Sequence, residues 1–164
     1  MTDLAASTSR RSAMLALVDR VIALLDSVPY TLLALPLRVG AAMVFWNSAM
    51  TKRANWDTTI ELFTEEYKVP LLPPEIAANM AFSIELTTPV LLVLGLLTRA
   101  AALVLLGMTT VIQVFVYPQS WPTHIQWAAM LLVLLCRGAG KLSLDHLVWQ
   151  RVRRLFGADA STNA

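Results

Sequence analysis

The chain reads as all-α, a polytopic membrane four-helix bundle, and three observations predict this. Its 164 residues are 57% hydrophobic and 15% charged, with a mean hydropathy of +0.61. A soluble domain carries about a quarter charged residues. Apolar stretches at about residues 30–50, 75–97, 100–117 and 123–137 approach the roughly 20 residues that cross a hydrocarbon core. Between Pro29 and Arg137 most charges fall in one segment, from Lys52 to Glu75. A helix satisfies its own backbone in lipid, so one small domain of four spans is feasible.

Each element has its own signal. After a polar start ending in Arg10-Arg11, the apolar run is broken by Asp19, Arg20 and Asp26, which makes a poor signal-peptide core. Leu15, Val18, Ile22 and Leu25 recur at helical spacing. They predict an amphipathic helix over 12–27 at the cytoplasmic face. A tail that orders only against the bundle is the blander alternative. The first span holds Pro36 and Arg38, then Gly40, Ala41 and Ala42, which permit close helix approach.

In the first outer loop, Ile60, Phe63 and Tyr67 share a face of a short helix over 57–67, stopped by the prolines of KVPLLPPE. The second span places Glu85 near its middle, one turn before Pro89. The third carries Thr109, Thr110 and Gln113, and the shorter fourth opens with His124, Gln126 and Trp127. Gly138-Ala139-Gly140 ends it, and residues 142–156 predict an interfacial helix with Ser143 as N-cap.

The domain plan is therefore an N-terminal cytoplasmic segment 1–29, a four-span domain 30–147 and a basic cytoplasmic tail 148–164. With the N-terminus inside, Arg10, Arg11, Arg20, Arg99, Arg137, Lys141, Arg151, Arg153 and Arg154 are internal, against Lys52, Arg53 and Lys68 outside. Positive charge favours the inner side, so both termini are expected in the cytoplasm. The basic tail has no interleaved aromatic motif, which excludes a nucleic-acid partner as the simplest reading. The lipid bilayer is the expected surround.

Glu85 at mid-membrane is costly unless paired, protonated or wetted. Arg38 is its expected counter-ion, at the base of a cleft that Asn47, Gln113 and His124 line. Such a site could hold a quinone headgroup, with Glu85 handling protons. A register-fixing ion pair is the competing reading. For Asn47 and Gln113 it is interhelical hydrogen bonding, and for His124 it is capping of the fourth helix. One cysteine, Cys136, excludes an internal dithiol and reads as a small core residue. Two distant histidines give no metal motif, and the seven methionines read as packing.

The order of features resembles the DoxX family of small membrane proteins. Arg38, Gly40, Phe45 and Lys52 open it. Glu85 then precedes Leu94-Gly95-Leu96-Leu97-Thr98-Arg99, and Arg137 to Asp145 (RGAGKLSLD) follows the helix begun by His124. The likeness covers about residues 30–147. Departures are the polar Asn47-Ser48, where a small residue is common, and Ala139, where proline is common. The resemblance implies a four-helix bundle in a bacterial inner membrane. It also implies kinship with the membrane subunit of thiosulfate:quinone oxidoreductase. A redox-complex subunit with a partner protein, and a quinone as its non-covalent cofactor, is the expectation, more than an enzyme acting alone; a homo-oligomer is also compatible. The alternative is a non-enzymatic scaffold, transport or binding component in which Arg38 and Glu85 are structural.

Overall fold

Small side chains set how closely the helices approach. The computed structural model describes residues 2–158, with side chains from Met14 to Arg154. Over these residues the chain is helical with no strand. The helices are α1 (Thr2–Asp26), α2 (Tyr30–Ala54), α3 (Trp56–Leu62), α4 (Pro74–Leu94), α5 (Thr98–Val111), α6 (Trp121–Arg137) and α7 (Leu144–Ala158). Short π-helical turns extend α3 through Phe63–Tyr67 and α5 through Ile112–Val116. A 3-10 turn at Pro118–Ser120 leads into α6.

Helices α2, α4 and α5, the last with its π turn, are long and apolar enough to cross a membrane. Helix α6 has 17 residues. It packs on α5 and α2, while α4 packs on α2 and α5. The shared core is Ala41, Ala42 and Phe45 against Leu92, Ala101, Ala102, Leu105, Leu131 and Leu134. Four of these nine are alanine, so the helix backbones come close. Outward-facing Leu32, Val39, Val93, Leu103 and Leu132 are exposed, a surface suited to lipid.

Helix ends follow the chain chemistry more sharply than apolar runs suggest. Helix α4 stops at Leu94, short of the expected 97, because Gly95 adopts φ +66°. Leu96 N–H then donates to Leu91 O at 2.9 Å, closing a C-terminal cap. Helix α2 runs on past residue 50 to Ala54, so Lys52 is helical and one turn beyond Ser48. The predicted 57–67 helix is present as α3 and its π turn. Phe63 packs on Ala77 and Ala78, with Ile60 and Tyr67 beside them. Helix α1 starts well before residue 12, and its residues 14–26 are exposed. Cys136 is exposed, against the expectation of a core position. Ser143 Oγ accepts from His146 N–H, as an N-cap for α7 should. Residues 159–164 of the basic tail lie outside the described residues, as do the side chains of Arg10 and Arg11.

Candidate functional site

Buried polar side chains gather at the two ends of the packed helices, in two separate groups. At one end, where α4 turns into α5, Arg38 is 3% exposed. Its Nε donates to Leu92 O at 2.7 Å, and Nη1 donates to Leu142 O at 2.7 Å and Ala139 O at 3.3 Å; Nη2 donates to Val93 O. The final carbonyls of a helix lack intrahelical partners, and a guanidinium fork supplies them. Asp145 completes this end. Its carboxylate accepts from Leu97 N–H at 2.7 Å and Thr98 N–H at 3.0 Å, capping α5 from 47 and 48 residues away. A side chain on Gly95 would meet Ser143 Cβ at 2.6 Å and Arg38 Nη2 at 2.8 Å.

The expected Arg38–Glu85 pair is thus overturned. Helices α2 and α4 run antiparallel, and Arg38 lies opposite Leu92 while Ser48 lies opposite Glu85. The seven residues from Glu85 to Leu92 amount to about 10 Å of helix. Arg38 finds carbonyls at its own level instead.

Glu85, 2% exposed, pairs with Lys52. Lys52 Nζ donates to Glu85 Oε2 at 2.7 Å, to Oε1 at 2.9 Å and to Ser48 Oγ at 2.8 Å; Ser48 Oγ donates to Glu85 Oε1 at 3.1 Å. The sequence signal for this was present. Ser48 and Lys52 are four apart and share a helix face, and Lys52 stands at a position of the family likeness. A first span that ends at residue 50 leaves Lys52 among the outer charges, away from Glu85.

The pair forms part of the wall of a cavity of about 380 Å³ between α2, α4, α5 and α6. The rest of the wall is mainly apolar and aromatic: Phe45, Phe63, Tyr67, Ile84, Met108, Ile112 and Trp127, with His124 beside them. Phe45 and Trp127 meet edge to face at 5.8 Å, and the His124 ring lies 5.0 Å from Trp127. The two π turns touch each other. Tyr117, just past the second, donates to Glu66 Oε1 at 2.7 Å and stacks edge-on against Tyr67. Partial burial, and then the Glu66 carboxylate, push the Tyr117 phenol upward, so it stays a donor at neutral pH. π turns often mark functional positions because they re-aim side chains. Here they turn Phe63, Tyr67, Ile112 and Val116 onto one cavity.

The five residues predicted as one site divide accordingly. Glu85 and His124 share the cavity wall. Gln113 stands behind it, with Oε1 at 2.7 Å from His124 Nδ1. Arg38 is at the far end, and Asn47 is exposed and does not line the cavity. Asn47 follows Trp46 around the helix, whereas Ser48 falls on the inner face. Among the described residues no group of three or more His, Cys, Asp or Glu could hold a metal.

Comparison with known proteins agrees with the likeness read from the residues. The DoxX family model matches residues 33–118, just over half of the chain. That segment holds Arg38, Ser48, Lys52, Glu85 and Gly95 and stops before His124 and Asp145. An uncharacterized protein of Haemophilus influenzae is 32% identical over 124 residues, covering 68% of this chain and 80% of that protein. No solved structure matches.

Proposed function

Because the chain belongs to the DoxX family, we propose that it is a membrane subunit of a redox complex whose cavity holds the ring of a lipid-soluble quinone or similar small molecule. The observation that carries this is the cavity itself. About 380 Å³ falls within the range of small-molecule pockets. Its walls offer flat aromatic surface from Phe45, Phe63 and Trp127, and polar atoms converge there from Ser48, Lys52, Glu85 and His124. A ring with an apolar tail and polar substituents fits this chemistry. One cysteine cannot make an internal dithiol, so the reading includes a partner chain that carries the electrons. This chain would hold the ring and handle its protons.

The same reading takes α2, α4, α5 and α6 as four spans of a bundle in a bacterial inner membrane with both termini cytoplasmic. The bias of Lys and Arg toward the Gly95 end and the tails supports that orientation. The alternative, a scaffold, transport or binding component with a structural ion pair, has one observation in its favour. All three hydrogens of Lys52 have protein acceptors.

The test is purification in mild detergent followed by solvent extraction for quinone and identification of co-purified chains. Bound quinone near one per chain is expected. It should be lost in Ala81→Trp, which fills the cavity from a half-buried position on α4, while the unfolding midpoint stays close to the parent. No extracted quinone, together with no tryptophan fluorescence response to an added short-chain quinone, would reject the reading.

A further inference from the structure

A chain of three hydrogen-bonding groups fixes which nitrogen of His124 can meet a ligand. The carbonyl of Pro118 can only accept. Gln113 Nε2 donates to it at 2.7 Å, which turns the amide so that Oε1 points the other way. Oε1 lies 2.7 Å from His124 Nδ1, and an amide oxygen also only accepts. Nδ1 therefore carries the hydrogen, and in the neutral ring Nε2 carries the lone pair. His124 is 4% exposed and lines the cavity. Among the described residues its hydrogen bond runs through Nδ1. Thr98 Oγ1 is the sole sealed, unpartnered side-chain atom in that set, so Nε2 is not sealed off, and the space that His124 lines is the cavity.

We propose that His124 Nε2 is the acceptor for a hydroxyl on the cavity's ligand, and that the site consequently favours the hydroquinone over the quinone form of a ring. This rests on the cavity holding a ring at all. A carbonyl brought to Nε2 sets two acceptors face to face. Relieving that clash means moving the ring hydrogen to Nε2, which leaves Nδ1 facing Gln113 Oε1. Rotating the amide to compensate sets Oε1 against the Pro118 carbonyl. With the ring neutral, one hydrogen bond is lost whichever way the relay is turned. A donor is at hand elsewhere on the wall, in the Trp127 indole, so a carbonyl at the other side of a ring can still be met. The selectivity comes from the one fixed acceptor. A site built to accept from a hydroxyl discriminates against a ligand that lacks it.

The experiment uses the full chain in detergent under argon, with binding read by tryptophan fluorescence. The probes are a short-chain benzohydroquinone, its benzoquinone and the dimethyl ether of the hydroquinone. The hydroquinone should bind about tenfold more tightly than either of the others. A tenfold preference corresponds to a rise of about 30 mV in the potential of the bound two-electron couple. In His124→Phe the three affinities should fall within about twofold of one another, and Gln113→Leu should lower the preference with His124 still in place. Should His124→Phe fail to fold, the ring nitrogens of His124 in the parent protein give the answer by NMR. Hydroquinone should shift the Nε2 resonance and the ether should not; no difference between them overturns the inference. Equal binding of all three probes, or a preference for quinone, overturns this inference and leaves the cavity reading standing. Binding of none of them removes both.

Discussion

The Gly95 end and the Lys52 end both bury a cation, yet they use it in opposite ways. Arg38 gives its hydrogens to four main-chain carbonyls on two chain segments, at Leu92, Val93, Ala139 and Leu142. Asp145 gives its oxygens to two main-chain amides. Lys52 instead meets only side chains, Glu85 and Ser48, and an open cavity adjoins it. A charge spent on backbone fixes where helices stop and how loops return. A charge held by side chains can be exchanged without moving the backbone, which suits a site that admits a ligand.

The comparison breaks first at the two cations. Arg38→Leu and Lys52→Met should each cost about 3–5 kcal/mol, because each strands buried polar partners. The measurement is the unfolding midpoint in detergent. The difference lies in rescue. Adding Glu85→Met to Lys52→Met replaces the whole pair by apolar groups and should recover most of the loss. No second substitution can rescue Arg38→Leu, since carbonyls cannot be mutated away. Equal rescue at both ends would remove the distinction.

Smaller effects should be confined to the Gly95 end. Gly95→Val faces a positive φ and a clash with Ser143, and should cost about 2–3 kcal/mol with ligand affinity per folded molecule unchanged. Asp145→Asn keeps one acceptor and loses the charge at the start of α5, for about 1 kcal/mol. If either variant weakened ligand binding in its folded fraction, the two ends would be coupled.

The elements were legible because apolar length and the prolines and glycines at their ends are local signals. Glu85, His124 and the Ser143 cap were likewise visible, as polar groups in apolar surroundings or at a helix start. Pairing was not, because it depends on register between helices. Arg38 and Glu85 come within reach only if the inner ends of α2 and α4 are level. Helix α2 instead begins about eight residues, or about 12 Å, beyond the end of α4, so Arg38 meets the last carbonyls of α4 at its own level. Lys52 was missed for a related reason. The first span was ended at residue 50, and a lysine beyond a span reads as interfacial, whereas the continuing helix folds its stem back along Ser48. Asn47 and Ser48 are neighbours in sequence but about 100° apart around the helix, so one residue of uncertainty in rotation exchanges an exposed side chain for a half-buried one that lines the cavity.

The last prediction has as small an effect on stability as Asp145→Asn and tests the cavity most directly. Glu85→Gln keeps the shape of the side chain, and its amide oxygen can still accept from Ser48 or Lys52. The lysine, 14% exposed, loses its counter-charge but keeps two acceptors, Ser48 Oγ and the amide oxygen, and its flexible stem leaves part of the ammonium accessible. The cost should stay at about 1 kcal/mol, well below that of Lys52→Met, where the 2%-exposed carboxylate has no such escape. Inside the cavity the change is larger in kind. A lysine hydrogen is released and can donate to a ring carbonyl, so the ratio of hydroquinone to quinone affinity should fall by about threefold. Measuring the midpoint and that ratio on one preparation separates the two roles of Glu85. A large drop in midpoint with an unchanged ratio would make the Lys52–Glu85 pair a second structural lock, no different in kind from Arg38.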